Sequence, residues 1–292
     1  MTANTAAEIA QDIEASDAMT HVREVVAKSG TSFLWGMRIL PRARRDAMYA
    51  IYAFCREVDD IADEPNPRET KLRRLAEWRG EIARLYEGAP REPVAQALLG
   101  PVAAFDLPSD EFLAVIDGME MDVCSQIVAP SMDDYALYCR RVAGAVGLLS
   151  IRVFGDVSAP ARELAVVLGE GLQTINILRD LDEDAGRGRL YLPGDLLAKH
   201  GMADLSPDAV LAHPNLPAVC EEMTSLAKTR LQRARALLSQ CERRRMRPAR
   251  LMLESYERIL HRLEARGWTR PRERVRLSRP EKLWVAFRYS LF

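Results

Sequence analysis

Apolar residues recur at intervals of three and four along almost the whole of this chain, and not at two. That period belongs to amphipathic helices, whereas half-buried strands alternate. No β-branched alternating run offers a sheet. Short breaks cut the pattern into pieces: Pro65-Asn66-Pro67, Gly88-Ala89-Pro90, Leu107-Pro108-Ser109, Ala129-Pro130-Ser131, Ser158-Ala159-Pro160 and the segment from Gly186 to Pro193. The spacing predicts helices over about 42–63, 69–86, 92–104, 109–127, 132–153, 159–184, 217–241 and 247–266. None of the breaks is long enough to separate two domains. The expectation is one all-α domain over 21–270, preceded by a disordered stretch, 1–20, and followed by a basic, aromatic segment, 271–292.

Composition removes several function classes. No run approaches ~18 uninterrupted apolar residues, so no transmembrane helix is expected. The acidic, polar stretch from Met1 to Asp17 does not read as a signal peptide. The five cysteines contain no CxxC pair and are odd in number, which argues against zinc and disulfide frameworks and for a reducing cytoplasm. The four histidines show no ligand or triad spacing. No GxGxxG or Walker A sequence argues for a nucleotide. The net charge of -1 hides an asymmetry. From Lys228 to Phe292 there are 19 Lys and Arg against 6 Asp and Glu. Such an end can meet nucleic acid, an anionic membrane or an acidic partner, or be solvated helix faces. The aromatic residues between Leu283 and Phe292 favour a peripheral membrane contact over nucleic acid.

Two stretches each place two aspartates four residues apart beside an arginine. They are Cys55-Arg56-Glu57-Val58-Asp59-Asp60-Ile61-Ala62-Asp63-Glu64 and Asn176-Ile177-Leu178-Arg179-Asp180-Leu181-Asp182-Glu183-Asp184. Like charges at i and i+4 cost a free helix a few tenths of a kcal/mol. In the first helix Tyr52, Arg56, Asp59 and Asp63 fall within about 60° of one another. In the second, Gln173, Asp180 and Asp184 fall within about 40°, with Asn176 about 60° to one side. A lone DxxxD is often a solvated surface pair. Two such pairs inside apolar segments point to facing helices that share divalent cations. Mg²⁺ takes oxygen ligands, keeps several waters, and completes its shell with one or two carboxylates and phosphate oxygens. The chemistry indicated is therefore that of a diphosphate.

Cations must meet the phosphate charge that metals leave uncovered. Arg56 and Arg179 adjoin the acids, either for that purpose or to neutralise the aspartates. Gly186-Arg187-Gly188-Arg189 follows the second motif as a mobile basic flap or as a plain helix-terminating loop. Gly144 and Gly147 interrupt a helical pattern at ~1 kcal/mol each. Something approaches that helix closely, either a neighbouring helix or a long apolar substrate. Asp122, at the end of Asp117-Gly118-Met119-Glu120-Met121-Asp122, is assigned to the surface in preference to a supporting role in the metal site.

With these residues in view, the chain resembles the squalene/phytoene synthase family of head-to-head prenyltransferases. The resemblance runs from about Ser29 to Arg266. It is densest in Met37-Arg38-Ile39-Leu40-Pro41, Tyr49 to Glu64, Tyr138 to Gly147 and Gln173 to Pro193. The ordered set of four is specific where any one alone is not. Gly36 to Glu64 and the overall length look most like the bacterial presqualene diphosphate synthases of the hopanoid-type squalene route. The resemblance implies an isoprenoid-synthase-type bundle around a central apolar cavity. It implies that Asp59, Asp63, Asp180 and Asp184, with Asn176, hold Mg²⁺, Mn²⁺ being an alternative. Arg56, Arg187, Arg189 and Tyr191 match the family's diphosphate-side residues, and Gln173 and Asn176 its polar pair upstream of the second motif. Ser32, Phe33, Tyr52 and Tyr138 match its substrate-cavity residues. One departure is Thr174-Ile175-Asn176, where the family often has Leu-Thr-Asn; a hydroxyl is moved by one position.

The reaction this implies joins two farnesyl diphosphates head to head into presqualene diphosphate. The donor's C–O bond ionises, the acceptor double bond attacks, and proton loss closes a cyclopropane, with a diphosphate oxygen or Tyr52 as proton acceptor. NADPH is not expected. Rival readings are a phytoene synthase using C20 substrates, a complete NADPH-dependent squalene synthase, and head-to-tail elongation, since Asp59-Asp60-Ile61-Ala62-Asp63 also spells DDxxD. A scaffold protein on the same fold is the non-enzymatic rival, and it would be expected to lose aspartates.

Overall fold

The structure, a computed structural model, describes residues 6–29, 33–125, 127–269 and 275; for residues 6–16, 33, 35 and 125 this extends to the backbone alone. All the described elements are helices. In chain order they are α1 (Ala6–Ser29), α2 (Phe33–Arg38), α3 (Arg42–Asp63), α4 (Arg68–Tyr86), α5 (Pro93–Phe105), α6 (Ser109–Ser125) and α7 (Met132–Cys139). A π-helical turn (Arg140–Gly144) joins α7 to α8 (Ala145–Phe154). Then follow α9 (Ala159–Gly186), α10 (Gly194–Lys199), α11 (Pro207–Leu211), α12 (Leu216–Leu238) and α13 (Arg247–Arg266).

Helix limits follow the punctuation. Ser158 caps α9, its hydroxyl accepting from the Ala161 amide, and Pro160 occupies the first turn, where a missing N–H is harmless. Glu64 ends α3 in an extended conformation, as the residue before Pro65 must. Two differences from expectation stand out. Helix α1 begins at Ala6, inside the stretch expected to be disordered. Ala18, Val22 and Val26 form a buried i, i+4, i+8 stripe along it, which packs against α3 and α5. The expected helix 132–153 runs through without a break but contains a π turn, which widens it at Arg140–Gly144.

Helix α9, 28 residues and about 42 Å long, is the spine. Its most extensive neighbour is α12, and α8, α13, α7 and α11 also pack on it. α3 and α9 barely touch each other. Instead α8 packs on both, α13 joins α9 to α2, and α2 returns to α3. This closes a ring of five helices, and the central cavity lies inside it. Gly147 and Gly169 let the ring close tightly. A Cβ on Gly147 would lie 2.3 Å from the Ala165 carbonyl oxygen, and one on Gly169 would lie 2.6 Å from that of Ala143. For Gly147, the close approach is therefore by a neighbouring helix.

Candidate active site

The cavity holds about 260 Å³ and is lined by all five ring helices. Met37 comes from α2, Met48, Ile51, Tyr52 and Cys55 from α3, and Val146, Ile151 and Phe154 from α8. Leu164, Leu168, Leu172, Gln173 and Asn176 come from α9, and Met252 from α13. Along α3 the lining rises from Met48 to Tyr52, with Asp59 and Asp63 further on. Along α9 it rises from Leu164 to Asn176, with Asp180 and Asp184 further on. Both acidic pairs thus stand at the C-terminal ends of their helices, at one mouth of an apolar cavity. Ion pairs from the segment after α9 to Asp63 show that the two ends lie together: Arg187 Nη1 is 2.9 Å and Arg189 Nη1 2.6 Å from its carboxylate.

The electrostatics of this mouth are unfavourable to its own residues. A helix C-terminus carries about half a negative charge. Two such ends bring together four motif carboxylates. Burial, and then Asp63 beside it, pushes the Asp59 carboxyl up to about 7 against the pull of Arg56. Burial and then Asp180 push Asp184 up to about 7 against Arg189. Such a group of carboxylates could hold cations. Asn176 supports the same conclusion: its Oδ1 is buried without a hydrogen-bond partner, while its Nδ2 donates to Gln173 Oε1 at 3.3 Å. An orphaned carbonyl oxygen below a pair of carboxylates is an oxygen donor set suited to Mg²⁺. Among the described residues no three acidic, His or Cys side chains converge on one metal-sized point. Mg²⁺ sites normally draw most of their shell from water and phosphate oxygens.

The basic residues bracket the acids. Arg56 Nη1 lies 3.3 Å from Asp59, and its other nitrogen pairs with Asp60. Arg179 grips Asp180 with Nε at 2.8 Å and Nη2 at 2.5 Å. Arg189 Nη2 and Lys71 Nζ both donate to the Ala62 carbonyl, at 2.9 and 2.8 Å, where the last turn of α3 leaves acceptors unmatched. The Gly186–Arg189 segment is a helix-terminating turn. The Arg187 and Arg189 amides return to the Asp184 carbonyl, Gly188 has φ +74°, and the Leu190 amide then donates to the Ile127 carbonyl at 2.8 Å. Its backbone is held, while its two arginines reach across to α3.

Asp122 overturns the expectation of a surface acid. It is 5% exposed, on α6. The Tyr191 hydroxyl donates to one oxygen at 2.6 Å and the Tyr138 hydroxyl to the other at 3.2 Å. Burial pushes its carboxyl up to about 6, against the nearby Arg189 charge and the Tyr191 hydrogen bond. The Tyr138 and Tyr191 rings stack at 4.9 Å. Tyr138 therefore stands beside the acidic mouth and not among the residues lining the apolar cavity, whereas Tyr52, Gln173 and Asn176 do line it. The Thr174 hydroxyl faces away from the cavity, accepting from Arg230 at 2.8 Å and bonded to the Tyr135 hydroxyl at 2.6 Å. Ser32 and the Phe33 side chain lie outside the described residues, as does nearly all of 271–292.

The sequence model of the squalene/phytoene synthase family matches residues 26–281. The chain belongs to that family. Among its relatives, a presqualene diphosphate synthase of Rhodopseudomonas palustris is 45% identical over 90% of this chain and 94% of its own length. A phytoene synthase of Arthrospira platensis is 39% identical, but over 63% of each chain. A squalene synthase structure from Alicyclobacillus acidocaldarius superposes with a TM-score of 0.77 at 27% identity, covering 88% of this chain and 96% of that one. The family's all-α fold is the one observed here. No helix among the described residues is long and apolar enough to cross a membrane, and all five cysteines are free thiols.

Proposed function

We propose that the protein joins two farnesyl diphosphates head to head, giving presqualene diphosphate and inorganic diphosphate. The observation that carries the reading is the pair of acidic helix ends meeting at one mouth of an apolar cavity, with Arg187 and Arg189 between them. The similarity to presqualene diphosphate synthases over nearly the whole chain supports the C15 substrate and the cyclopropyl product over the C20 reaction.

Asp59, Asp63, Asp180 and Asp184, with Asn176 Oδ1, would hold Mg²⁺. When bound, Mg²⁺ supplies positive charge to the diphosphate leaving group, which lowers the barrier to C–O ionisation. Arg56, Arg187 and Arg189 bind the remaining phosphate charge. The apolar walls from Met48 to Tyr52 and from Leu164 to Leu172 orient the prenyl chains and exclude water, which would quench an allylic cation. Tyr52, which lines the cavity below Cys55 and Asp59 on α3, would take the proton whose loss closes the cyclopropane. NADPH has no role in this step. The basic C-terminal segment would carry a peripheral contact with anionic membrane, which suits a product with a long apolar tail. Mg²⁺-dependent release of inorganic diphosphate from farnesyl diphosphate, abolished in Asp63→Asn and Asp184→Asn, tests the reading. Release that persists without Mg²⁺ or in both variants would contradict it, and no release at all would favour a scaffold.

A further inference from the structure

A second pocket, of about 320 Å³, adjoins the acidic mouth and is separate from the apolar cavity. Arg68 and Lys71 from α4, Arg187 and Arg189, Asn66, Asp122, Val123 and Cys124 line it. Four of these eight residues are cations. Arg187 and Arg189 belong to both places, since each holds Asp63 while also walling this pocket.

The chain balances only part of the local charge: Asp63 pairs with Arg187 and Arg189 and Glu183 pairs with Arg187, while Arg68 and Lys71 have no acid partner among the described residues. Arg68 is exposed and makes no ion pair or hydrogen bond among the described residues. The hydrogen bond Lys71 makes goes to a main-chain carbonyl, that of Ala62. Its proton affinity is lowered by burial and by the Arg189 charge beside it, as expected of a cation among cations. Glu64, a nearby acid, is engaged by Arg74 and Asn66. Asp122 is the one acid in the wall, and both its oxygens already accept from tyrosines. The pocket also faces the first turn of the 19-residue helix α4, whose cap, Pro67, offers no side-chain acceptor to the free amides.

The lining offers no aromatic face for a base and, beyond Val123, no apolar wall for a prenyl tail. What fits is a small polyanion. We propose that this pocket binds free diphosphate, taking the leaving group from the carboxylate mouth along the shared Arg187–Arg189 wall. The inference rests on the proposed reaction for its physiological ligand, and its chemistry requires only a diphosphate anion.

Removing divalent metal separates this pocket from the carboxylate site. The test is titration calorimetry of the full chain with inorganic diphosphate in chelator. The expected result is one salt-sensitive site, weakened about tenfold by Arg68→Gln and by Lys71→Gln, the scale of one charge-assisted hydrogen bond. Arg73→Gln on the same helix, where the side chain is 70% exposed and pairs with Glu77, should leave it unchanged. An unreactive thio analogue of farnesyl diphosphate should bind no more tightly than inorganic diphosphate under these conditions. A blank titration with wild-type protein would overturn the inference. So would binding that both variants retain, or clear preference for the prenylated anion. If the enzyme releases diphosphate from farnesyl diphosphate yet the titration is blank, this inference fails alone. If the pocket binds but no diphosphate is released, the proposed reaction fails alone.

Discussion

Replacing Asp184 by Asn should make the ligand-free protein more stable at pH 8, although it removes a carboxylate that the proposed reaction uses. The carboxyl is raised from 3.8 to about 7 by burial first and by Asp180 second. Between those values the native state holds a proton that the unfolded chain has released. Stability therefore falls as pH rises through that window. A shift of this size carries ~4 kcal/mol at 1.36 kcal/mol per pKa unit. The mouth is partly open to water, and screening reduces this to about 1–2 kcal/mol. No ion pair or hydrogen bond reaches the Asp184 side chain among the described residues, and the turn after α9 closes on its main-chain carbonyl. The isosteric change should therefore leave the fold intact. The assay is denaturant unfolding of both proteins from pH 4 to pH 8 without metal. The variant's advantage should be near zero at pH 4, grow with pH and level off above about 7. A variant less stable than wild type at pH 8, or equally shifted at every pH, would refute the electrostatic account of the mouth.

Further outcomes follow from the same geometry. Apparent Mg²⁺ affinity, measured by diphosphate release against metal concentration, should weaken as pH falls from 8 to 6, because protons compete for Asp59 and Asp184 near 7; a flat profile would contradict the raised carboxyls. Gly147→Ala should destabilise by about 2–3 kcal/mol in denaturant unfolding, since its Cβ meets the Ala165 carbonyl. Gly186→Ala, with open space around it, should be near neutral. Asp122→Leu leaves the Tyr138 and Tyr191 hydroxyls without their acceptor and should cost about 1–3 kcal/mol. Asp122→Asn should recover most of that stability. Binding to anionic vesicles should fall with salt; equal sedimentation with neutral and anionic vesicles would remove the membrane contact.

Most of the helical frame is legible in the sequence because its breaks are chemical. Pro41, Pro65 and Pro67 delimit α3 and the start of α4, and Ser158 with Pro160 starts α9. The acidic stripes were equally plain, since i and i+4 positions fix the face. Helix α1 is hard to see in the sequence because its buried residues, Ala18, Val22 and Val26, are small and spaced among charges, a weak stripe that tertiary packing makes buried. The sequence misleads at Asp122 because the residue closes a run whose other acids, Asp117 and Glu120, pair with Arg79 in a half-exposed position. A signal was present: Val115 and Met119, seven and three residues before it, are buried on α6, so Asp122 sits on an inward face. The distinction between flap and terminating turn depended on long-range bonds, Leu190 to Ile127 and Arg189 to Asp63, that local spacing does not encode.

The most direct test of the central claim is the mass of the product formed from farnesyl diphosphate and Mg²⁺, with and without NADPH, before and after phosphatase treatment. The account predicts a C30 cyclopropyl diphosphate that persists when NADPH is present. Its conversion to squalene, or turnover of geranylgeranyl diphosphate to a C40 hydrocarbon with no C30 product, would contradict it.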